Sequence, residues 1–450
     1  MNKLIFILFL TFNSHFIFAQ ESNIEDLSNR VSELEKQLSE SMNKGNSFNP
    51  AISVILDGSY KNYSLDPSNY SIAGFLGSSH AHGHGDEETT TETALGTNGF
   101  SLGHSELMLS GNIDPNHMGR ITLGIHSDST LEIEEAFFTN TGLASGLNVT
   151  VGRILPAIGY LNEQHRHTWD FSNTSLINQA FWGEEGYRDD GVQLNYVLPM
   201  ENYFEIGAMK GRGENFPGTT RTNGLNSNLL FAKFGQDLGF SSSYRFGLSW
   251  FTNKVIERDH EDHVEREIAG EETEVETENH FENSNSKTVG FDFVYKWIGD
   301  DGVKGLTLQT EYFSREEDGN LHFAKDNDDI SDEEGTFTSK QSGYYIQAIY
   351  RLTRTLRLGY RYDKLDSGTW TFVGEDGSSW DDLGLESLAE YNPTRNTVMI
   401  DYSPSEFSRF RVQFAQDKSR NITESITDNV DNQITLQYIH SLGSHGAHQY

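Results

Sequence analysis

The sequence predicts an all-β fold, a transmembrane antiparallel β-barrel of about 16 strands preceded by a short coiled-coil helix. Three observations lead to this prediction. Residues 1–19 have the form of a secretory signal peptide. No later stretch has the roughly 18 consecutive apolar residues that a membrane-spanning helix needs. From residue 51 onward, apolar and polar residues alternate in sixteen segments, and a chain that spans a membrane with strands must form a closed barrel.

Composition excludes several classes of protein. The 450 residues include no cysteine, so a disulfide framework, a thiolate metal site and a cysteine nucleophile are all excluded. The chain has 33 basic and 67 acidic residues, and this excess of acid argues against nucleic acid as a partner, because phosphate binding needs clustered Lys and Arg. The 29 Phe, 19 Tyr and 6 Trp residues argue against disorder.

The N-terminal segments come first in the chain. Lys3 precedes an apolar run, and small Ala19 is followed by polar Gln20, which predicts cleavage between them. Residues 20–43 then carry apolar side chains at alternating spacings of three and four, which predicts a periplasmic coiled coil: Ile24, Leu27, Val31, Leu34 and Leu38. About two and a half heptads are marginal alone, and a solitary amphipathic helix is the alternative. Residues 44–50 form a linker.

The barrel is predicted over residues 51–450. Its sixteen strands lie near residues 51–60, 101–113, 119–127, 130–140, 146–155, 190–199, 202–212, 227–238, 241–254, 287–299, 303–314, 340–353, 355–365, 394–403, 406–418 and 431–450. Connections after even-numbered strands are short and most of the others are long and acidic, which is typical of outer-membrane barrels with both termini in the periplasm. Glu135 and Arg153 fall on the lipid-facing side of strands four and five. The acidic stretch 255–286 is interpreted as a solvated loop.

Sixteen strands enclose an aqueous lumen. The inner face carries a group of arginines, Arg351, Arg357, Arg361, Arg409 and Arg411. The third long connection, residues 156–189, carries Glu163, Asp170 and Asp189. We expect this connection to fold inward, so that acids face arginines across a constriction and create a transverse field. The alternative is that these charges only solvate a wide lumen.

Histidines are the candidate metal ligands. His80, His82 and His84 precede three acidic residues, and His260 and His263 lie in the acidic stretch. Imidazoles beside carboxylates suit zinc, copper or nickel, although no spacing here fixes a tetrahedral set. Polar tracts without a ligand are the alternative. We expect no required cofactor, with Zn²⁺ as a transported or loop-bound ion. The sequence lacks the catalytic motifs of hydrolases and phosphate-binding loops, so we expect no enzyme.

Five stretches together carry a family resemblance: residues 48–53, 99–107, 152–171, 189–194 and 442–448. The chain resembles Gram-negative outer-membrane proteins of porin-like architecture with an N-terminal coiled coil, often labelled zinc-regulated, TonB-dependent receptors. The resemblance implies an outer-membrane location and zinc uptake. TonB-dependent barrels have 22 strands and a plug, and residues 20–50 are too few to form one. The resemblance therefore favours a porin-like channel.

The resemblance also implies partners. The predicted coiled coil is similar to those of trimeric phosphate-selective and carbohydrate porins, which implies a homotrimer in outer-membrane lipid. Aromatic Tyr450 resembles the terminal residue that the barrel-assembly machinery reads. The leading hypothesis is a channel for passive diffusion of small polar solutes or ions, with a link to zinc uptake. The alternatives are a non-conducting or receptor-type barrel whose His-rich loops bind metal, and an exported lectin-like β protein.

Overall fold

A computed structural model describes residues 50–67, 70–76, 95–127, 130–143, 146–218, 224–268, 271–325, 332–380, 390–420 and 430–443. The signal peptide, the coiled coil and the linker up to residue 49 lie outside these ranges, as do His80, His82, His84 and Tyr450. His260 and His263 are placed only by their backbone, because the side chains of residues 260–276 are also outside the description. No described helix is long and apolar enough to cross a membrane.

The described chain forms eighteen strand segments in one antiparallel sheet. They are β1 (Ala51–Tyr63), β2 (Gly99–Leu102), β3 (Ser105–Asp114), β4 (His117–Ile125), β5 (Leu131–Asn140), β6 (Leu147–Ile154), β7 (Asp189–Val197), β8 (Tyr203–Gly211), β9 (Ser227–Asp237), β10 (Ser242–Ile268), β11 (Glu271–Ile298), β12 (Gly305–Lys325), β13 (Glu333–Arg351), β14 (Leu356–Asp366), β15 (Trp370–Gly374), β16 (Thr394–Ser405), β17 (Ser408–Lys418) and β18 (Asp431–Gly443).

The sheet closes into a barrel of sixteen strands, as predicted. β2 and β3 both pair with β1 and together make one wall strand. β14 and β15 likewise both pair with β13. β18 pairs with β1 from Ser53↔Gly443 to Tyr63↔Gln433, so no sheet edge remains in this closed ring of strands.

Side chains alternate across the wall with the period of two that strands impose. On β18, Gln433, Thr435 and Gln437 are buried inside the barrel, whereas Ile434 and Leu436 are 44% and 45% exposed outside. Polar residues inside and apolar residues outside reverse the arrangement of a water-soluble sheet. An outer face of this kind is stable in contact with lipid, so the barrel spans a membrane.

The two ends of the barrel differ. At one end, which we call the turn end, consecutive strands are joined by two to six residues; we call the opposite end the loop end. β4 to β7 have only 8–10 residues, whereas β10 and β11 have 27 and 28. The prediction that residues 255–286 form a solvated loop is wrong, because β10 and β11 continue through most of this stretch as a paired hairpin. Main-chain pairing outside the membrane does not need an apolar face.

A β-bulge corrects the predicted position of Glu135. Thr122 pairs with Glu135 and Leu123 with Ile133, so Glu134 is an extra residue in β5. Glu134 and Glu135 consequently both face the interior and are buried. Arg153 does lie on the outer face, where its Nε and Nη2 donate to the two carboxylate oxygens of Asp190 at 2.7 and 3.1 Å.

The connection between β6 and β7, residues 155–188, folds into the barrel; we call it the inserted segment. It contains one α-helix, α1 (Leu176–Trp182), which begins after Ser175, whose hydroxyl accepts from the Asn178 amide. Gly183 ends the helix with a positive φ of 84°. The apolar residues of α1 pack against wall residues in one core, namely Phe251, Phe313, Tyr345 and Leu365.

Candidate functional site in the barrel lumen

Four of the five predicted arginines line one side of the lumen, where the inserted segment touches them directly. Arg357 donates from Nη1 to Asp170 at 2.8 Å and from Nη2 to Asp401 on the neighbouring strand. Asp170 therefore neutralises an arginine instead of standing opposite it across a gap. Arg357 and Asp170 side chains are 25% and 20% exposed, so water reaches this pair.

The next arginines bind main-chain carbonyls of the inserted segment. Arg411 donates to the Trp169 carbonyl at 2.8 Å, and Arg409 donates to the same oxygen at 3.3 Å. Arg361 donates to the carbonyls of Asn173 and Thr174 at 2.9 and 3.0 Å. An irregular buried segment leaves carbonyls that need donors, and guanidinium groups supply several each. This arginine row thus docks residues 169–174 on the wall.

The remaining residues of the predicted constriction lie in three other places. Arg351 donates to the Val303 carbonyl at 2.6 Å, at the turn end. Glu163 accepts from Lys233 of β9 at 2.6 Å. Asp189, 1% exposed, accepts from the Tyr187 hydroxyl at 2.8 Å and from the Gly213 amide at 3.0 Å. That the eight predicted residues form one constriction with a transverse field stays a prediction.

Two further wall carboxylates bind the inserted segment. Glu311 accepts from the backbone amides of Tyr160 and Leu161 at 2.5 and 3.1 Å, and from Asn178 at 3.0 Å. Asp363 accepts from the Leu176 amide at 3.0 Å, at the start of α1. Strand alternation predicted only that both carboxylates face the lumen. It could not predict their partners, which lie more than 130 positions away in the sequence.

A second polar group lies on a separate part of the wall, from β2 to β5; we call it the histidine–glutamate cluster. Its members come from the short strands and from the inserted segment: His104, Glu106, His126, Glu132, Glu134, Glu135, His165, His167 and Glu185. His104 occupies the break between β2 and β3, and His126 follows β4. The bulge in β5 brings Glu134 and Glu135 inward together.

The inserted segment is bound to this cluster through His165. Its Nε2 lies 2.9 Å from Glu135, and its Nδ1 lies 3.4 Å from Glu106 and 3.5 Å from Glu134. Burial alone would lower the pKa of His165, but the carboxylates of Glu106 and Glu135 outweigh burial and raise that pKa well above its ordinary value. Burial opposes ionisation of Glu185, yet His104 and Arg188 hold its pKa well below the ordinary value.

Sequence reasoning missed most of this cluster. It selected His80, His82 and His84, outside the described residues, and His260 and His263, whose side chains are not described. One signal was present, since His104, Glu106, His165 and His167 all fall within stretches that carry the family resemblance. These residues form no motif of regular spacing in the sequence, because three separate wall segments and the inserted segment assemble the cluster.

Comparisons with known proteins give distant matches. No family model matches the sequence. An uncharacterized protein of Aquifex aeolicus is 27% identical over 416 residues, which cover 90% of this chain and 80% of that protein. Among solved structures, the anion-selective porin from Comamonas acidovorans is 10% identical with a TM-score of 0.47, covering 87% of this chain and 99% of its own. The outer membrane channel DcaP of Acinetobacter baumannii is 14% identical with a TM-score of 0.46, covering 87% and 97%.

The location of the protein rests on the barrel itself. A closed sixteen-strand antiparallel barrel with an apolar outer face and a polar interior is the architecture of porin-type proteins in the Gram-negative outer membrane. The protein is an outer-membrane β-barrel of this type. The comparisons give no support to the zinc-regulated, TonB-dependent part of the resemblance.

Proposed function

We propose that the protein is a porin-like channel for passive diffusion of small polar solutes or ions. The observation that carries the proposal is a sixteen-strand barrel whose inner wall holds ionised, partly hydrated side chains. Arg120, Arg357 and Arg409 side chains are 25–27% exposed although they point inward. A barrel of this strand number has an interior wider than its own side chains fill.

The inserted segment narrows the passage. It is bound to β9 through Glu163 and Lys233, to β17 through Trp169 and Arg411, and to β5 through His165 and Glu135. A segment that is bound to the wall at several places leaves a smaller open cross-section of the lumen than a segment that lies along one side. We therefore expect a conductance well below that of an unobstructed sixteen-strand barrel. The same contacts favour the second candidate, a non-conducting or receptor-type barrel.

Single-channel recording in planar bilayers separates the two candidates. Resolved conductance steps from purified protein, with a reversal potential in a salt gradient, support the channel. A protein that inserts into bilayers and stays silent, while remaining folded by heat-modifiable gel mobility, supports the receptor-type barrel. A mock preparation from cells that lack the protein, purified in the same way, excludes contaminating porins as the source of steps.

We also infer that three copies assemble in the outer membrane, as the resemblance implies. Arg153 and Asp190 form a charged pair on the outer face, among the short strands. An unpaired Arg at the bilayer midplane costs about 2–4 kcal/mol, and a neighbouring copy would cover this pair with protein instead of lipid. The barrel-assembly machinery as a partner of Tyr450 and zinc as a solute remain proposals of the same kind.

A further inference from the structure

We propose that His104, His126 and Glu185 bind a first-row divalent transition-metal ion at the loop end of the lumen. The proposal extends the proposed function by naming one class of solute that the lumen recognises. Two ligands stand on the wall and the third on the inserted segment. None of the three was among the metal ligands predicted from the sequence.

The distances among the three donor atoms suit a small metal ion. Glu185 Oε1 lies 3.3 Å from His104 Nδ1 and 3.4 Å from His126 Nδ1, and all three donors lie within 4.8 Å of one another. Ligands at about 2.1 Å from a tetrahedral Zn²⁺ are roughly 3.4 Å apart. Histidine–carboxylate ion pairs also fall at these distances, so the spacing fits a bound ion without any movement of the three side chains.

His104 supplies an independent indication of a ligand. The residue is 4% exposed, and its Nδ1 atom has no hydrogen-bond partner among the described residues. Buried polar atoms are almost always satisfied, and this one is directed at Glu185 and His126. A bound ion would supply its missing partner.

Each of the three ligands is held by a neighbouring charged residue, as metal ligands in proteins commonly are. The other ring nitrogen of His104 contacts Glu134, and the other ring nitrogen of His126 lies 3.4 Å from Glu132. Arg188 holds the second oxygen of Glu185 at 2.5 Å, which leaves Oε1 for the ion. Carboxylates that bind the far nitrogen of a ligating histidine fix its orientation and increase its basicity.

The donor set determines the class of ion. Two imidazole nitrogens and one carboxylate oxygen suit Zn²⁺, Ni²⁺ or Cu²⁺, whereas Ca²⁺ and Mg²⁺ prefer oxygen alone. The side chains of His126 and Glu185 are 18% and 20% exposed, so water or a solute can complete the coordination. A site of three protein ligands with an open position releases its ion more readily than a closed structural site.

Titration calorimetry of the full chain in detergent, after removal of metal with a chelator, tests the site. We expect one Zn²⁺ per chain to survive replacement of the loop histidines His80, His82 and His84 by Ala. His126→Ala and Glu185→Gln should each weaken that binding by at least about tenfold, since even outer-shell losses cost 10–100-fold. Co²⁺ should give visible d–d absorption that both variants lose, and Mg²⁺ should not bind there.

A matched control uses His117, which lies at the turn end with Nδ1 2.8 Å from Asp114. His117→Ala should leave Zn²⁺ binding unchanged, and heat-modifiable mobility should show that every variant folds.

Zn²⁺ binding that is lost with the loop histidines and unaffected by His126→Ala overturns the proposal. So does binding lost in Glu106→Gln but retained in His126→Ala, which would place the ion between Glu106 and Glu134, and so does an absence of binding. Conductance without Zn²⁺ binding refutes only the metal site, and binding without conductance refutes only the channel.

Discussion

Docking of the inserted segment is most sharply tested by Phe181→Ala. Phe181 is fully buried, and its ring packs near Phe75, Trp182 and Phe313 with the Arg315 guanidinium 4.1 Å from its centre. Truncating a buried Phe to Ala costs about 3–5 kcal/mol. The wall is held by main-chain hydrogen bonds that this change does not touch, so the cost falls on docking of residues 155–188.

A loss of that size lowers the equilibrium constant for docking by about 10²- to 4 × 10³-fold, at 1.4 kcal/mol per tenfold. We expect larger and noisier conductance steps in planar bilayers, and new cleavage by added protease within residues 155–188 of the folded barrel. Phe240→Ala is the control, because Phe240 is fully exposed in the turn between β9 and β10. Unchanged conductance and unchanged protease resistance in a folded Phe181→Ala protein would refute the reasoning.

Three further predictions test other parts of the barrel. Asp170→Asn removes a negative charge beside Arg357, so the reversal potential in a salt gradient should shift toward anion selectivity; an unshifted potential would place Asp170 away from the passage. The chain has no native cysteine, so Phe138→Cys, on the outer face of the short strands, should give dimers and trimers with a trifunctional maleimide while Leu308→Cys on β12 stays monomeric; monomers from both would count against trimers. Deleting Glu134 removes the bulge and restores strict alternation in β5, so the folded gel band should persist, and its loss would contradict the bulge assignment.

The sequence was most informative where structure depends on local pattern. Alternation in strands such as 355–365 predicted which side chains face lipid, and each of the sixteen wall strands overlaps a predicted segment, although β10 to β13 extend well beyond theirs. The parity of short and long connections predicted which end of the barrel carries the short turns. These features follow from period-two geometry and from loop length, which neighbouring residues determine.

The rest depends on pairing between distant strands. The bulge at Glu134 is defined only by the register of β5 against β4, and alternation within β5 alone placed Glu135 on the wrong face. The breaks between β2 and β3 and between β14 and β15 depend likewise on the partner strand. The histidine–glutamate cluster was missed for the same reason, because its members meet only after three wall segments and the inserted segment are in place.

Two kinds of contact hold the inserted segment. Apolar packing around Phe181 and guanidinium–carbonyl bonds such as Arg411 to Trp169 depend little on any ion in solution. The contacts of His165 and Glu185 with wall carboxylates and histidines use atoms that protons and metal ions also bind. A perturbation of the cluster therefore weakens the second kind of contact while the first kind keeps the segment docked. Because Glu185 belongs to the segment and His104 and His126 to the wall, an ion shared among them would link the two, and passage through the lumen would respond to whatever occupies the cluster.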